Sequence, residues 1–292
     1  MRVDLLAGAA APPRSMIAPV PNILVFDSGV GGLSVFAELL RVRPDARFVY
    51  AADDAAFPYG RLGEDALVAR IETVLERLIR RTAPNLVVIA CNTASTLVLP
   101  HLRRRFPQLP FVGTVPAIKP AVALSRTGRI AVLATPGTVA RDYTHDLIRT
   151  YAEGCSVDLV ASTRLAGLAE AELCGAPVPD AEVLTEIAPC FVETGGRRTD
   201  VVVLGCTHYP LLLRRFTAVA PWPVTWIDPA PAIARRVIQL IGEPAPGQER
   251  VGENTLALFT GGAGITPALR RALHERGLPV LDVETMPLQR PA

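Results

Sequence analysis

Lysine is nearly missing from this chain: among 30 basic residues Lys119 is the single lysine, and arginine supplies the rest. A pyridoxal phosphate enzyme anchors its cofactor as a Schiff base on lysine, and the one candidate sits in the proline-flanked segment Pro116-Ala117-Ile118-Lys119-Pro120. Pyridoxal chemistry is therefore not expected. Net charge is also scarce, since 28 acidic residues leave a formal balance of +2, too little to make nucleic acid or an anionic membrane the expected partner. No apolar run approaches the roughly 20 residues of a membrane helix. The apolar stretch Leu5–Ala11 follows Asp4 and is cut off by Pro12, Pro13 and Arg14, so residues 1–21 read as a flexible extension, or as an early start with Met16 available, rather than as a secretory signal.

Closely spaced cysteine pairs are absent as well. Cys91, Cys155, Cys174, Cys190 and Cys206 are odd in number and never nearer than 16 residues, which excludes zinc-type and thioredoxin-type pairs. Free thiols in a reducing, cytoplasmic compartment are expected. What the chain does have is apolar residues, 50% of the total, with only 20% charged, the composition of a compact globular protein with a sizeable core.

Short runs of Val, Ile and Leu alternate with amphipathic stretches, the pattern of buried parallel strands separated by helices. Strands are expected at 23–26, 48–51, 86–90, 111–113, 130–134, 157–161, 201–205, 224–228 and 255–259. Helices are expected at 33–42, 64–80, 140–151, 181–193, 232–241 and 267–276, with a loop at Pro244-Ala245-Pro246-Gly247. The fold class is α/β with mainly parallel sheets.

An internal echo runs through this pattern. Asn85-Leu-Val-Val-Ile-Ala-Cys91-Asn92-Thr93 overlays Asp200-Val-Val-Val-Leu-Gly-Cys206-Thr207-His208, each a strand, a small residue, a cysteine and a polar pair. More weakly, the strand ending in Asp27-Ser28-Gly29 matches the one ending in Thr135-Pro136-Gly137. Two similar halves follow. Ligands of open α/β sheets bind beyond the carboxyl ends of strands, where both cysteines fall, so facing halves would bring two thiols to one cleft.

Free cysteines are most often inert core residues, and Cys155, Cys174 and Cys190 read that way. Cys91 and Cys206 differ because polar loop residues follow each. Their chemistry has two readings. One thiol could be a nucleophile with His208 as base; or the two could act as acid and base on opposite faces of one carbon, which inverts a stereocentre. Duplication favours the second, since a nucleophile needs no twin.

Gly29-Val30-Gly31-Gly32 has neither dinucleotide-loop nor P-loop spacing, and Asp27 beside it disfavours phosphate. Its amides at a helix start could hold a carboxylate, while Asp27 could hold a cation, tune a thiol or cap the helix. Pro58-Tyr59-Gly60 is a turn at the same expected edge, so its backbone could complete an anion pocket. By spacing alone Asp53, Asp54 and Glu170 are ordinary surface or capping carboxylates.

Taken together, Val25-Phe26-Asp27-Ser28-Gly29-Val30-Gly31-Gly32, Pro58-Tyr59-Gly60, Ala90-Cys91-Asn92-Thr93-Ala94-Ser95 and Gly205-Cys206-Thr207-His208-Tyr209-Pro210 resemble bacterial glutamate racemase, of the aspartate/glutamate racemase family. The resemblance runs in order from about residue 22 to 265. It implies two similar, doubly wound domains related by a pseudo-two-fold axis, with the active site between them: 22–115 plus 230–292 as the first and 116–229 as the second. It implies interconversion of L- and D-glutamate without cofactor or metal, supplying peptidoglycan synthesis, in a cytoplasmic enzyme that is commonly a homodimer. Cys91 and Cys206 match the catalytic cysteines, acting on the D- and L-enantiomer respectively. Asp27, His208 and Glu170 match groups that assist them, and Asp53 matches an acidic position before the turn. The implied substrate contacts are Asp27, Ser28, Tyr59, Gly60, Asn92, Thr93, Thr207 and His208, with Thr135 and Thr138 as further candidates. An aspartate racemase, a thiol hydrolase and a non-catalytic binding protein are the alternatives.

Overall fold

The protein's structure is a computed structural model that describes residues 20–244 and 255–287. The expected N-terminal extension and most of the loop at 244–247 lie outside the described residues.

In chain order the strands and helices are β1 (Asn22–Asp27), α1 (Leu33–Val42), β2 (Arg47–Ala52), α2 (Glu64–Thr82), β3 (Leu86–Ile89), α3 (Asn92–Arg105), β4 (Phe111–Gly113), α4 (Ile118–Leu124), β5 (Arg129–Ala134), α5 (Pro136–Val139) and α6 (Asp142–Tyr151). There follow β6 (Ser156–Ala161), α7 (Leu165–Leu173), α8 (Asp180–Ile187), β7 (Glu193–Thr194), β8 (Arg197–Arg198), β9 (Val201–Gly205), α9 (Leu213–Val219), β10 (Thr225–Ile227), α10 (Ala230–Ile241), β11 (Leu256–Phe259), α11 (Pro267–Glu275) and β12 (Val280–Val283).

Ten of these strands form two wholly parallel sheets, ordered β12-β11-β2-β1-β3-β4 and β10-β9-β5-β6. The internal echo has a topological counterpart. Reversed, the second sheet reads β6-β5-β9-β10, the order of β2-β1-β3-β4 in the first. Thus β5 stands where β1 stands, and β9 where β3 stands, which are the two pairs of segments that matched in sequence. Because all these strands are parallel, each sheet gathers its strand carboxyl ends on one side, where Asp27, Cys91, Thr135 and Cys206 fall.

Continuous apolar strands need helices on both faces. In β1, Ile23 and Val25 enter one core cluster with Leu33, Phe36 and Val237, while Leu24 and Phe26 enter another with Leu67, Ile71 and Val98. The second sheet divides likewise, with Leu133 on one face and Val132 on the other. Each fully buried side chain of this size contributes about 1.5–3 kcal/mol, which holds the helices against both faces of each sheet.

Every expected strand is present to within one residue at each end. The helix expected over 181–193 is shorter. It stops at Ile187, Pro189 sits in a 3-10 turn, and Glu193–Thr194 pairs antiparallel with Arg197–Arg198. Gly195 and Gly196 make that hairpin turn with φ of 60° and 70°, a backbone two consecutive glycines adopt without strain. Helix α3 carries Pro100 in its interior, a helix-breaking residue, which hid this helix from sequence periodicity.

Candidate active site

Parallel pairing sets the site. Phe26 lies beside Ile89 in the first sheet and Ala134 beside Gly205 in the second, so the chain leaves each sheet with Ser28 near Cys91 and Thr135 near Cys206. Cys91 then occupies the N-cap position of α3 with an extended φ of −142°. Both cysteines line a single cavity together with Ser28, Tyr59, Gly60, Asn92, Thr93, Thr135, Thr207 and His208. Of the expected substrate contacts Asp27 and Thr138 are not on its wall; each lies behind it, within 3.5 Å of Thr207 Oγ1 and 3.3 Å of Thr93 Oγ1 respectively. The cavity has about 20 Å³ of free room, the scale of one water molecule.

The two thiols have different surroundings. The Cys91 S–H donates to Ser28 Oγ at 3.8 Å. Burial and then the Asp27 carboxylate push the Cys91 thiol well above its ordinary value, and the Ala94 amide of the helix start opposes them without prevailing. Cys91 is accordingly a thiol at neutral pH. Cys206 lies 3.8 Å from His208 Nδ1. Burial by itself would lower the His208 imidazole, but its hydrogen bonds to Cys206 and Glu170 and the charges of Cys206 and Asp27 raise it well above the usual histidine range. An imidazolium held there places a positive charge at short range from the Cys206 sulfur.

His208 is steadied from the other side by its Nε2, which faces Glu170 Oε1 at 3.1 Å and the Gly31 amide at 3.2 Å. With Nε2 protonated the ring donates to Glu170; deprotonated, it accepts from Gly31. The Phe57 ring packs against the imidazole with centroids 5.4 Å apart. Glu170 Oε1 also accepts the Val30 amide at 3.4 Å.

The glycine-rich loop therefore differs from its sequence-based reading. Its amides face the protein: Gly29 and Gly32 donate to Asp27 Oδ2 at 3.3 and 3.0 Å and Val30 donates to Glu170, while the Gly31 amide lies against His208 Nε2. They are not a reserve of donors for a substrate anion. The glycines serve close approach, since a Cβ on Gly29 would fall 2.6 Å from Glu170 Oε1 and one on Gly31 would fall 2.2 Å from His208 Nδ1. Asp27 is fully buried, and burial raises its carboxyl despite the opposing His208 charge and the amides of Gly32, Ser28 and Gly29.

Two carboxylates that spacing alone marked as ordinary are not. Glu170 reaches His208 across the site, and Asp53 is wholly buried. The Tyr59 hydroxyl donates to Asp53 at 2.6 Å, so it is spent inside the protein. Asn92 presents the opposite case: it is 2% exposed, yet neither its Oδ1 nor its Nδ2 has a hydrogen-bond partner. Thr93 Oγ1 meets Thr135 Oγ1 at 2.9 Å and Thr138 Oγ1 at 3.3 Å, tying the two sheets' loops together. Phe57 and Ala166 complete the wall. Sequence reasoning had not singled them out, although Phe57 directly precedes the Pro58-Tyr59-Gly60 turn.

A larger cavity of about 540 Å³ lies elsewhere, lined by residues such as Leu99, Arg103, Lys119, Tyr151 and Arg236. It has no thiol, carboxylate or imidazole on its wall. The lone lysine belongs to this cavity, with its ammonium 5.5 Å from the Tyr151 ring centroid. All five cysteines are free, and Cys190 is buried with its thiol pushed up to about 12 by that burial. Among the described residues no helix is long and apolar enough to cross a membrane, and no cluster of three metal-ligating side chains occurs.

The family model for Asp/Glu/hydantoin racemase matches residues 32–237. A glutamate racemase of Mesorhizobium japonicum is 57% identical over 240 residues, 82% of this chain and 91% of the relative. One from Brucella ovis is 54% identical over 249 residues, 85% of this chain and 90% of the relative. A crystal structure of Escherichia coli glutamate racemase, in complex with L-glutamate and the activator UDP-MurNAc-Ala, superposes with a TM-score of 0.82 at 40% identity, covering 91% of this chain and 99% of that one.

Proposed function

Because the chain belongs to the Asp/Glu/hydantoin racemase family, we propose that it interconverts L- and D-glutamate by a two-base mechanism in which Cys91 and Cys206 flank the α-carbon. The observation that carries this reading is the shared cavity wall, with one thiol from each sheet's equivalent strand end. Glutamate is favoured over aspartate by relatives named glutamate racemase at 54–57% identity.

In the L-to-D direction the Cys206 thiolate takes the α-proton, and the Cys91 S–H delivers its proton to the opposite face. The enzyme is left with a Cys206 thiol and a Cys91 thiolate, and D-to-L turnover reverses each transfer. The asymmetric surroundings match this cycle. Burial, and then the Asp27 charge, keep Cys91 protonated at rest, and His208, backed by Glu170, stands beside Cys206. Ser28, Asn92, Thr93 and Thr207 supply neutral donors. The unpaired Asn92 carboxamide is suited to a substrate carboxylate or ammonium, and donors aimed at the α-carboxylate stabilise the charge that builds as the proton leaves.

The cavity is too small for an amino acid as it stands, so entry requires the two lobes, 22–115 with 230–292 and 116–229, to part and close again. Closure removes water, which strengthens each polar contact around the reacting carbon. The product would serve peptidoglycan synthesis in the cytoplasm, with a homodimer as the working assembly.

The test is D-glutamate in heavy water without added cofactor. The unmodified protein is expected to racemise it with solvent deuterium at the α-carbon, and Cys91→Ala and Cys206→Ala to abolish racemisation. Either variant turning over at nearly the original rate would end the two-base reading.

A further inference from the structure

We propose that Arg70 is a positioning residue for the Pro58-Tyr59-Gly60 wall of the cleft, and that the C-terminal segment 284–287 acts on substrate binding through Arg70 and Thr260. This rests on the reading above, in which that wall contacts substrate.

The centre of the arrangement is Asp53, the first residue beyond β2. Its Oδ2 accepts the Tyr59 hydroxyl at 2.6 Å and Arg70 Nε at 2.9 Å. Its Oδ1 accepts Arg70 Nη2 at 2.5 Å and the Thr260 hydroxyl at 2.6 Å. Each oxygen thus has two donors, and the guanidinium grips the carboxylate in the bidentate manner that fixes direction as well as charge. Tyr59 is 2% exposed and its hydroxyl is committed to Asp53. It therefore influences substrate through where it holds the turn.

The same guanidinium reaches the tail. Arg70 Nη2 donates to the Met286 carbonyl at 2.5 Å and Nη1 to the Pro287 carbonyl at 3.1 Å. A second route passes through Thr260, whose carbonyl accepts the Met286 amide at 2.9 Å while its hydroxyl holds Asp53. The tail is itself fastened. The Glu284 amide donates to the Phe259 carbonyl at 2.8 Å, the Glu284 carboxylate pairs with Arg77 and Arg81, and the Met286 side chain enters the core cluster of α2. An order of contact runs from tail carbonyls to Arg70 or Thr260, to Asp53, to Tyr59, to the cleft wall. Thr260 and Met286 lie beyond residue 237, where the family match ends.

Without Arg70 the buried Asp53 loses its counter-charge and no longer holds the phenol in one place. The expected result is weaker binding of both enantiomers with the chemical step less affected.

The experiment compares steady-state racemisation of L- and D-glutamate by full-length Arg70→Met, Arg70→Lys, Thr260→Val, Met286→Ala, Tyr59→Phe and the double variant Arg70→Met/Tyr59→Phe. Arg70→Met is expected to raise KM for both enantiomers about tenfold, the scale of one buried hydrogen bond to a charged group, with kcat within about threefold. Arg70→Lys should recover part of that loss, and Thr260→Val and Met286→Ala should raise KM in the same sense. The double variant should be no worse than the poorer single one, because both act through Asp53. A folded Arg70→Met, Thr260→Val or Met286→Ala with unchanged KM overturns the proposal, as does additivity in the double variant. If Arg70→Met does not fold, the near-isosteric Thr260→Val and the charge-retaining Arg70→Lys decide the matter by the same KM reading. Failure of the unmodified protein to racemise glutamate would instead remove the functional reading itself.

Discussion

Gly31 of the first sheet's loop and His208 of the second sheet's loop are in direct contact: the Gly31 amide nitrogen lies 3.2 Å from Nε2, and no β-carbon fits between them. The φ of Gly31 lies outside the left-handed region, so space alone demands glycine. The loop beside one thiol and the imidazole beside the other are held at a fixed spacing by what Gly31 lacks.

Gly31→Ala should therefore separate the two halves of the site. We expect kcat/KM to fall about 100-fold, as a misplacement on the order of 1 Å can cause, with stability reduced by about 1–3 kcal/mol from overpacking. The control is Gly167→Ala in α7, which is exposed and has nothing within 4 Å of its added carbon. That change should stabilise the protein by about 0.5–1 kcal/mol and leave turnover unchanged. Denaturant titration and racemisation kinetics check both.

Asp27→Asn should separate activity from stability. Burial raises the Asp27 carboxyl, so below its unfolded value of about 3.9 the protonated group costs nothing. The cost of folding it ionised grows as pH rises from there through the folded value. The amide removes that cost. We expect melting at neutral pH to be at least as high as that of the unmodified protein, a gap that narrows toward pH ~4, and activity about 10² to 10⁴-fold lower. Melting curves against pH test the first part. Unfolding at a lower temperature than the parent at neutral pH would contradict it.

His208 gives the opposite pH slope. Its folded value is raised above the usual histidine range, so its contribution to stability is complete below about 6.5 and disappears as pH rises through the folded value. Stability should fall on the alkaline side, and His208→Gln should flatten that limb. Denaturant titrations between about pH 6 and pH 10 compare the two slopes.

One expectation lies far from the thiols. Arg43 and Asp45 are 3% and 2% exposed and meet through two hydrogen bonds of 2.8 and 2.6 Å, and Arg43 also donates to the carbonyls of Ile241 and Gly242. Hydrogen bonding to Arg43, against the opposing effect of burial, lowers the Asp45 carboxyl. Its contribution is therefore present above about pH 3.9 and lost as pH falls through the folded value. Arg43→Ala should cost about 3–5 kcal/mol by leaving a buried charge unpaired, and Arg43→Met/Asp45→Leu should recover most of it. Thermal unfolding of the three proteins measures this, with KM and kcat unchanged in those that fold.

The equal free energies of the two enantiomers impose a constraint on every variant above. Since L- and D-glutamate are mirror images, kcat/KM must be the same in both directions, however unlike the two thiols are. Differences between Cys91 and Cys206 can appear only in kcat and KM taken separately.

The sequence by itself determined the strands, because a strand covered on both faces must be apolar throughout, and it determined the pairing of halves, because equivalent strand ends kept a cysteine and a polar pair. Cys91, Cys206 and the residues following them were legible for that reason. Tertiary structure alone decided the rest. It buried Asp53 and gave it four donors from three separate parts of the chain, turned the loop amides onto Asp27, Glu170 and His208, and made one thiol face a carboxylate and the other an imidazole. Spacing along the chain cannot reveal these, because burial, and the sign of the charge that burial places beside a group, are set by segments as much as 207 residues apart, as with Asp53 and Thr260.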